Sequence, residues 1–178
     1  VQAIRSSKKG FSYEVPIKEY QSFCKKFPYQ ETYDQKRTID EVIVDMQKPI
    51  PMDRLICGEV GFGKTEVIMR AAYIAAFNRK QTCVLVPTTL LATQHFSSFV
   101  DRFKDTGIEI RVISRNIRKK ERDGLLGELE EGKIDIIIGT HAILQNYVKF
   151  FDLGLLVIDE EHRFGVRQKE KIKSLKQE

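Results

Sequence analysis

The sequence predicts an α/β protein: a mostly parallel sheet covered by helices on both faces, with a helical arm ahead of it. Three observations carry this reading. Short apolar runs bounded by turn residues alternate with segments whose apolar residues recur at helical spacing. A glycine-rich loop stands between the first such strand and the helix that follows, and a downstream apolar run ends in two adjacent acids, Asp159 and Glu160. Repeated strand-helix units require crossover connections, which give parallel sheets.

In chain order, residues 1–26 stand apart. Tyr20, Phe23, Cys24 and Phe27 follow Pro16 at helical spacing, so 1–26 is expected to be a helical arm whose apolar side docks on the domain 27–178 or on a neighbour. Lys8, Lys9 and Gly10 mark a break within it. Thr32-Tyr33-Asp34-Gln35 reads as a capping box, Thr32 being the N-cap and Gln35 reaching back, ahead of a helix with Ile39, Val42, Ile43 and Met46 on one face. The first strand is expected at 55–57, and after the loop a helix carries Val67, Ile68, Ala71, Ala72 and Ala75. A strand at 83–86 leads to Pro87 and to a helix with Phe96, Phe99, Val100 and Phe103. A strand at 108–113 precedes a helix with Leu125, Leu126 and Leu129, stopped by Gly132. Strands at 134–138 and 155–158 complete the sheet. In such sheets ligands sit at the carboxyl ends of the strands, and every polar motif of the chain falls there.

The first motif is Gly58-Glu59-Val60-Gly61-Phe62-Gly63-Lys64-Thr65, which matches G-x-x-x-x-G-K-[ST] without a gap and is followed by Glu66. Its glycines let successive backbone N–H groups wrap phosphates, and the helix that follows adds the positive end of its dipole. Lys64 can reach the outer phosphates, and the Thr65 hydroxyl can ligate a bridging Mg²⁺. A glycine-rich stretch alone is usually a turn, but here strand, loop, Lys-Thr and helix stand in the required order. The second motif is Asp159-Glu160-Glu161-His162 at a strand end. Asp159 is placed to hold Mg²⁺ and Glu160 to orient and deprotonate an attacking water. The bland alternative is a strand ending in solvated carboxylates. His162 is read either as a coupling residue or as a polar surface residue. A nucleoside triphosphate and Mg²⁺ are the ligands these motifs imply.

Composition sets wider bounds. The 178 residues suit one α/β domain with something appended. Thirty basic and twenty-five acidic residues leave a formal net charge of +5, compatible with polyanion binding but common in ordinary proteins. Cys24, Cys57 and Cys83 are widely spaced and odd in number, which argues against a disulfide framework or metal knuckle and suits a reducing cytoplasm. No membrane span or signal segment is expected.

The segments MDRLICGEVGFGKTEVIMRAA, VLVPTTLLATQH and DEEHRFGVRQKEKIK closely resemble the bacterial transcription-repair coupling factors, often called Mfd, through nearly the whole chain. The RecG-type fork-remodelling helicases share the phosphate loop, the GTH segment and HRFGV, and are the next closest resemblance. The resemblance implies the first RecA-like lobe of a superfamily 2 double-stranded DNA translocase, with the arm leading into it. It implies that ATP hydrolysis there drives removal of stalled RNA polymerase in transcription-coupled DNA repair. Contacts to RNA polymerase and to excision-repair proteins would be made through other domains, and a second RecA-like lobe would supply an arginine finger. The segment 27–178 would then be an incomplete lobe that binds nucleotide and by itself turns over negligibly.

Carried over by position, the resemblance implies that the Phe27 ring lies against adenine and the Gln35 amide reads its edge, a role that can coexist with capping. It further implies that Thr88, Thr89, Gln94, His95, Ser114, Arg115, Thr140 and His141 touch the DNA backbone, with His162 coupling the two lobes. Phosphate contacts without base readout suit a motor that passes every sequence. Helix capping by Thr88 or Thr89 after Pro87 is the local alternative, and a solvated helix face is the alternative for the basic stretch Arg111, Arg115, Arg118, Lys119, Lys120 and Arg122. The family usually has proline at Tyr33 and aspartate at Glu59; the first departure weakens helix pre-organisation and the second keeps the charge. A nucleotide-switched, partner-binding ATPase without DNA contact is the rival from another class.

Overall fold

The computed structural model describes residues 2–6, 11–48, 53–56 and 62–159. The strands are β1 (Gln2–Ser6), β2 (Asp53–Ile56), β3 (Gln81–Leu85), β4 (Ile110–Ile113), β5 (Ile136–Gly139) and β6 (Leu153–Asp159). The helices are α1 (Ile17–Lys25), α2 (Tyr33–Gln47), α3 (Phe62–Phe77), α4 (Thr89–Arg102) and α5 (Lys119–Glu130), with a 3-10 turn at His141–Leu144. One sheet holds all six strands in the order β2-β1-β6-β3-β5-β4. The pairs β6/β3, β3/β5 and β5/β4 are parallel. Strand β1 runs antiparallel to both of its neighbours, so β2 points the same way as the other four.

All five strands expected from the sequence are present, and the sixth corrects the arm. Residues 2–6 are extended rather than helical, and the helix of the arm is confined to α1. Strand β1 exists through pairing with two strands far away in sequence, and non-local pairing leaves little local signature. The apolar side of α1 docks on α3: Phe23 is buried and its ring stacks on Tyr73 at 4.4 Å.

Alternation along the strands divides the core in two. Val84, Val86, Ile136, Ile138, Leu155 and Val157 face one side with Ile39, Val42 and Met46 of α2, Phe99 of α4 and the apolar residues of α3. Cys83, Leu85, Ile137, Leu156 and Ile158 face the other side with Leu129 of α5 and Ile143 and Leu144 of the 3-10 turn. Helix α3 is apolar nearly all round because it lies between the sheet and α1 and α2, so no wide polar face is needed. The capping box at α2 forms as the sequence reads: Gln35 N donates to Thr32 Oγ1 at 3.1 Å, and Thr32 N donates to Gln35 Oε1 at 3.2 Å. Val100, expected on the apolar face of α4, is exposed. Helix α5 ends before Gly132, whose φ of +80° is a conformation glycine adopts at little cost, and a Cβ there would also meet the Phe151 ring at 2.9 Å.

Candidate functional site

Sheet register places the strand ends that lead into the two sequence motifs at one edge. Gln2 of β1 is opposite Ile56, the last residue of β2, and also opposite Asp159, the last residue of β6. The last residue of β2, two positions before the glycine loop, and the acid that ends β6 therefore lie at the same level of the sheet. Two inter-strand spacings separate them, roughly 10 Å. Lys64 and Thr65 occupy the first turn of α3, where unpaired backbone N–H groups and the helix dipole favour an anion. Gly58, Glu59, Val60 and Gly61 of the loop, together with Cys57, Glu160, Glu161 and His162, lie outside the described residues; Phe62 and Gly63 open α3.

Side-chain parity sends Asp159 to a particular face. It shares the register of Leu155 and Val157, which face α3 and α4, and it meets His95 of α4. His95 Nε2 lies 2.8 Å from Asp159 Oδ2, and both side chains are nearly buried. His95 is thus directed to the acid at the sheet edge rather than outward with Gln94, which is exposed.

Glu66, one residue past Thr65, belongs to a buried ion cluster. Its carboxylate accepts from Arg70 Nε at 2.6 Å and from Arg102 Nε and Nη2, each at 2.8 Å. Arg70 Nη1 also donates to Glu31 at 2.5 Å. Hydrogen bonds to Glu66 and Glu31 hold the Arg70 guanidinium charged, with its pKa above the ordinary arginine value, against a burial cost that favours the neutral form. The Glu66 side chain is therefore engaged by its two arginine partners, and its backbone is what stands next to Thr65. Sequence reading missed this cluster. Its signal was Glu66 and Arg70 at i, i+4 in an otherwise apolar helix, where buried charges require partners.

The remaining residues fall as follows. Phe27 is half-buried, with Arg70 and Arg102 guanidinium carbons 5.6 and 5.9 Å from its ring centroid and Tyr29 edge-on. Gln35 uses Oε1 for capping. Thr88 is the N-cap of α4 and accepts from Leu91 N at 3.2 Å, while Thr89 opens the helix. Ser114 and exposed Arg115 follow β4. Thr140 is buried, so within the GTH segment His141 is the more accessible side chain. The segments of Thr88 and Thr89, Ser114 and Arg115, and Thr140 and His141 follow the carboxyl ends of β3, β4 and β5, on the rim that carries Asp159. Helix α5 starts without a side-chain cap and carries exposed Arg118, Lys119 and Lys120 at its positive end, an arrangement that disfavours the isolated helix and suits an anion. Among the described residues no group of His, Cys, Asp and Glu is arranged to hold a metal by itself, and no helix is long and apolar enough to cross a membrane.

The family model of the DEAD/DEAH box helicases matches residues 32–178. The chain is 57% identical over 176 residues to the transcription-repair-coupling factor of Haemophilus influenzae and 55% identical over 176 residues to that of Escherichia coli, covering 99% of this chain in each case. The Bacillus subtilis counterpart is 49% identical over 174 residues. This chain spans 15% of the length of each of these three relatives. Among solved structures, that of RecG bound to a three-way DNA junction superposes with a TM-score of 0.79 at 36% identity, over 88% of this chain and 21% of the other.

Proposed function

Because the chain belongs to the DEAD/DEAH box helicase family, we propose that it is the ATP-binding first lobe of a double-stranded DNA translocase. Its likeness to transcription-repair-coupling factors supports a role in displacing stalled RNA polymerase during transcription-coupled DNA repair. The observation that carries the nucleotide reading is the shared sheet level of Ile56 and Asp159. It supports a reading in which the helix N-terminus with Lys64 and Thr65 and the acid of β6 would serve one metal-bound triphosphate.

The donor set fits ATP and Mg²⁺. Lys64 and the backbone of residues 58–65 would bind phosphates, and Thr65 and Asp159 would hold the metal, which when bound neutralises charge on the transferred phosphate. Glu160 would accept a proton from the attacking water. Phe27 would offer a ring to adenine, backed by the two guanidiniums, and the Gln35 amide nitrogen would donate to the base edge. His162 would couple this lobe to a second one. Thr88, Thr89, Gln94, Ser114, Arg115 and His141 would contact the DNA backbone, with the uncapped start of α5 adding positive potential. These residues alone should bind ATP or ADP and turn over negligibly, because an arginine from a second lobe would be the strongest stabiliser of the transition state.

Binding of a fluorescent ADP analogue tests the reading. Lys64→Ala should abolish binding, whereas Glu160→Gln should retain it and, in a complete two-lobed motor, stop hydrolysis; wild-type affinity in Lys64→Ala would refute the site. Duplex DNA affinity measured across salt separates a translocase from a nucleotide-switched partner module. Backbone binding weakens steeply with salt, and complete absence of binding to DNA would favour the partner module. The RecG likeness at 36% identity supports a fork-remodelling lobe as the second reading, and stimulation by branched rather than linear duplex in the two-lobed protein would select it.

A further inference from the structure

We propose that helix α4 is a brace between the two halves of the nucleotide site, and that His95 is the positioning residue for Asp159. This rests on the nucleotide reading above and adds a residue to it. An ionised carboxylate can only accept, so the bond at 2.8 Å places the proton on His95 Nε2. The ring is held in turn by Phe99, edge-on at 6.4 Å between centroids and itself fully buried. With Oδ2 engaged, the plane of the Asp159 carboxylate is set, and with it the direction in which that acid presents itself to a divalent cation. Hydrogen bonds of this kind, one shell out from a metal, raise affinity by ordering the ligand before the metal arrives.

The second link lies two turns along the same helix. Arg102 grips the Glu66 carboxylate with two N–H groups at 2.8 Å, and Glu66 directly follows Thr65. Seven residues of helix separate His95 from Arg102, about 10 Å, comparable with the separation of β2 from β6. One rigid element therefore holds Asp159 at one end and the start of α3 at the other. Its N-cap, Thr88, opens on the rim where β3 ends, so a displacement of the start of α4 would be felt at both metal-holding positions.

The test is Mg²⁺-dependent binding of a fluorescent ADP analogue to the purified chain. For His95→Ala, the Mg²⁺ concentration that half-saturates the complex should rise about tenfold, while ADP affinity in EDTA stays at the wild-type value. His95→Gln, which keeps an N–H donor near Asp159, should recover most of the loss. In the background of Asp159→Asn, adding His95→Ala should change the Mg²⁺ requirement no further. An unchanged Mg²⁺ requirement in His95→Ala, or an equal loss with and without metal, overturns the proposal. ADP binding that is metal-dependent and lost in Lys64→Ala keeps the nucleotide reading intact in that case. Absence of ADP binding in the wild type removes both.

Discussion

Replacing Glu66 by alanine should be among the most damaging single changes in this protein. Three N–H groups from two guanidiniums converge on the carboxylate, and the side chains of Glu66, Arg70 and Arg102 are 2%, 4% and 7% exposed. With Glu31 the cluster is neutral, two cations against two anions, which is what makes its burial tolerable. Glu66→Ala leaves one uncompensated positive charge that water reaches poorly, at a cost of about 3–5 kcal/mol. Set against a typical total of about 5–15 kcal/mol, that is a large fraction of the stability. For a chain of this size about 2–4 °C of melting temperature accompanies each kcal/mol, so the drop should be about 6–20 °C. Calorimetry or urea unfolding followed by circular dichroism reads it. Glu66→Gln, which keeps the volume and one acceptor, should fall between. The combined change Glu66→Leu, Arg70→Met and Arg102→Met should recover much of the loss, since an apolar set of similar volume avoids the desolvation cost. A melting temperature for Glu66→Ala within about 2 °C of wild type would show that the cluster carries no such burden.

Three further outcomes follow from the structure. Gly139→Ala should cost about 1–3 kcal/mol, because the added Cβ would lie 2.6 Å from the Ile113 carbonyl oxygen, a backbone atom that cannot move aside, and would also press on Ile143; a stability equal to wild type in urea would contradict the tight approach. Asp135 has a raised pKa, first through burial and then through the nearby Glu109 carboxylate, opposed by the Glu109 backbone N–H that it accepts at 2.9 Å. A raised folded pKa means that its favourable contribution is complete below the ordinary aspartate value and lost as pH rises through the folded value. Asp135→Asn should accordingly melt higher than wild type at neutral pH and lose that advantage in acid, and a difference that grows on acidification would refute the assignment. Cys83 is fully buried, and burial pushes its thiol pKa up. Alkylation mapped by mass spectrometry on the native protein should leave Cys83 unmodified while half-buried Cys24 reacts slowly; rapid labelling of Cys83 would show that the sheet opens.

Much of the architecture was legible in the letters because it is written in local periodicity. The five parallel strands, the capping box at Thr32 and Gln35, the apolar faces of α2 and α3 and the stop at Gly132 depend on neighbours within a few residues. The site motifs are local in the same sense: a loop of glycines ending in Lys64-Thr65, and an apolar strand ending in Asp159, are recognised by composition and spacing. The strand β1 escaped because its reason for being extended lies more than forty residues downstream, in β2 and β6.

What the tertiary structure alone decided is which polar side chains meet. Gln81, buried in β3, donates to the Leu129 and Ile134 carbonyls and accepts from Asp152 N, joining α5 to the segments that lead into β5 and β6 through contacts up to 71 residues apart. His95 reads in sequence as one more polar residue beside Gln94, and only the parity of β6 and the seating of α4 turn it toward Asp159. Arg102 looks like an ordinary basic residue ending a helix until it is found gripping Glu66. A chain can announce the periodicity that builds its elements, since that is a property of consecutive residues. The pairing of buried charges is a property of how those elements are stacked, and it is there that Asp159 and the start of α3 become tied to a single helix.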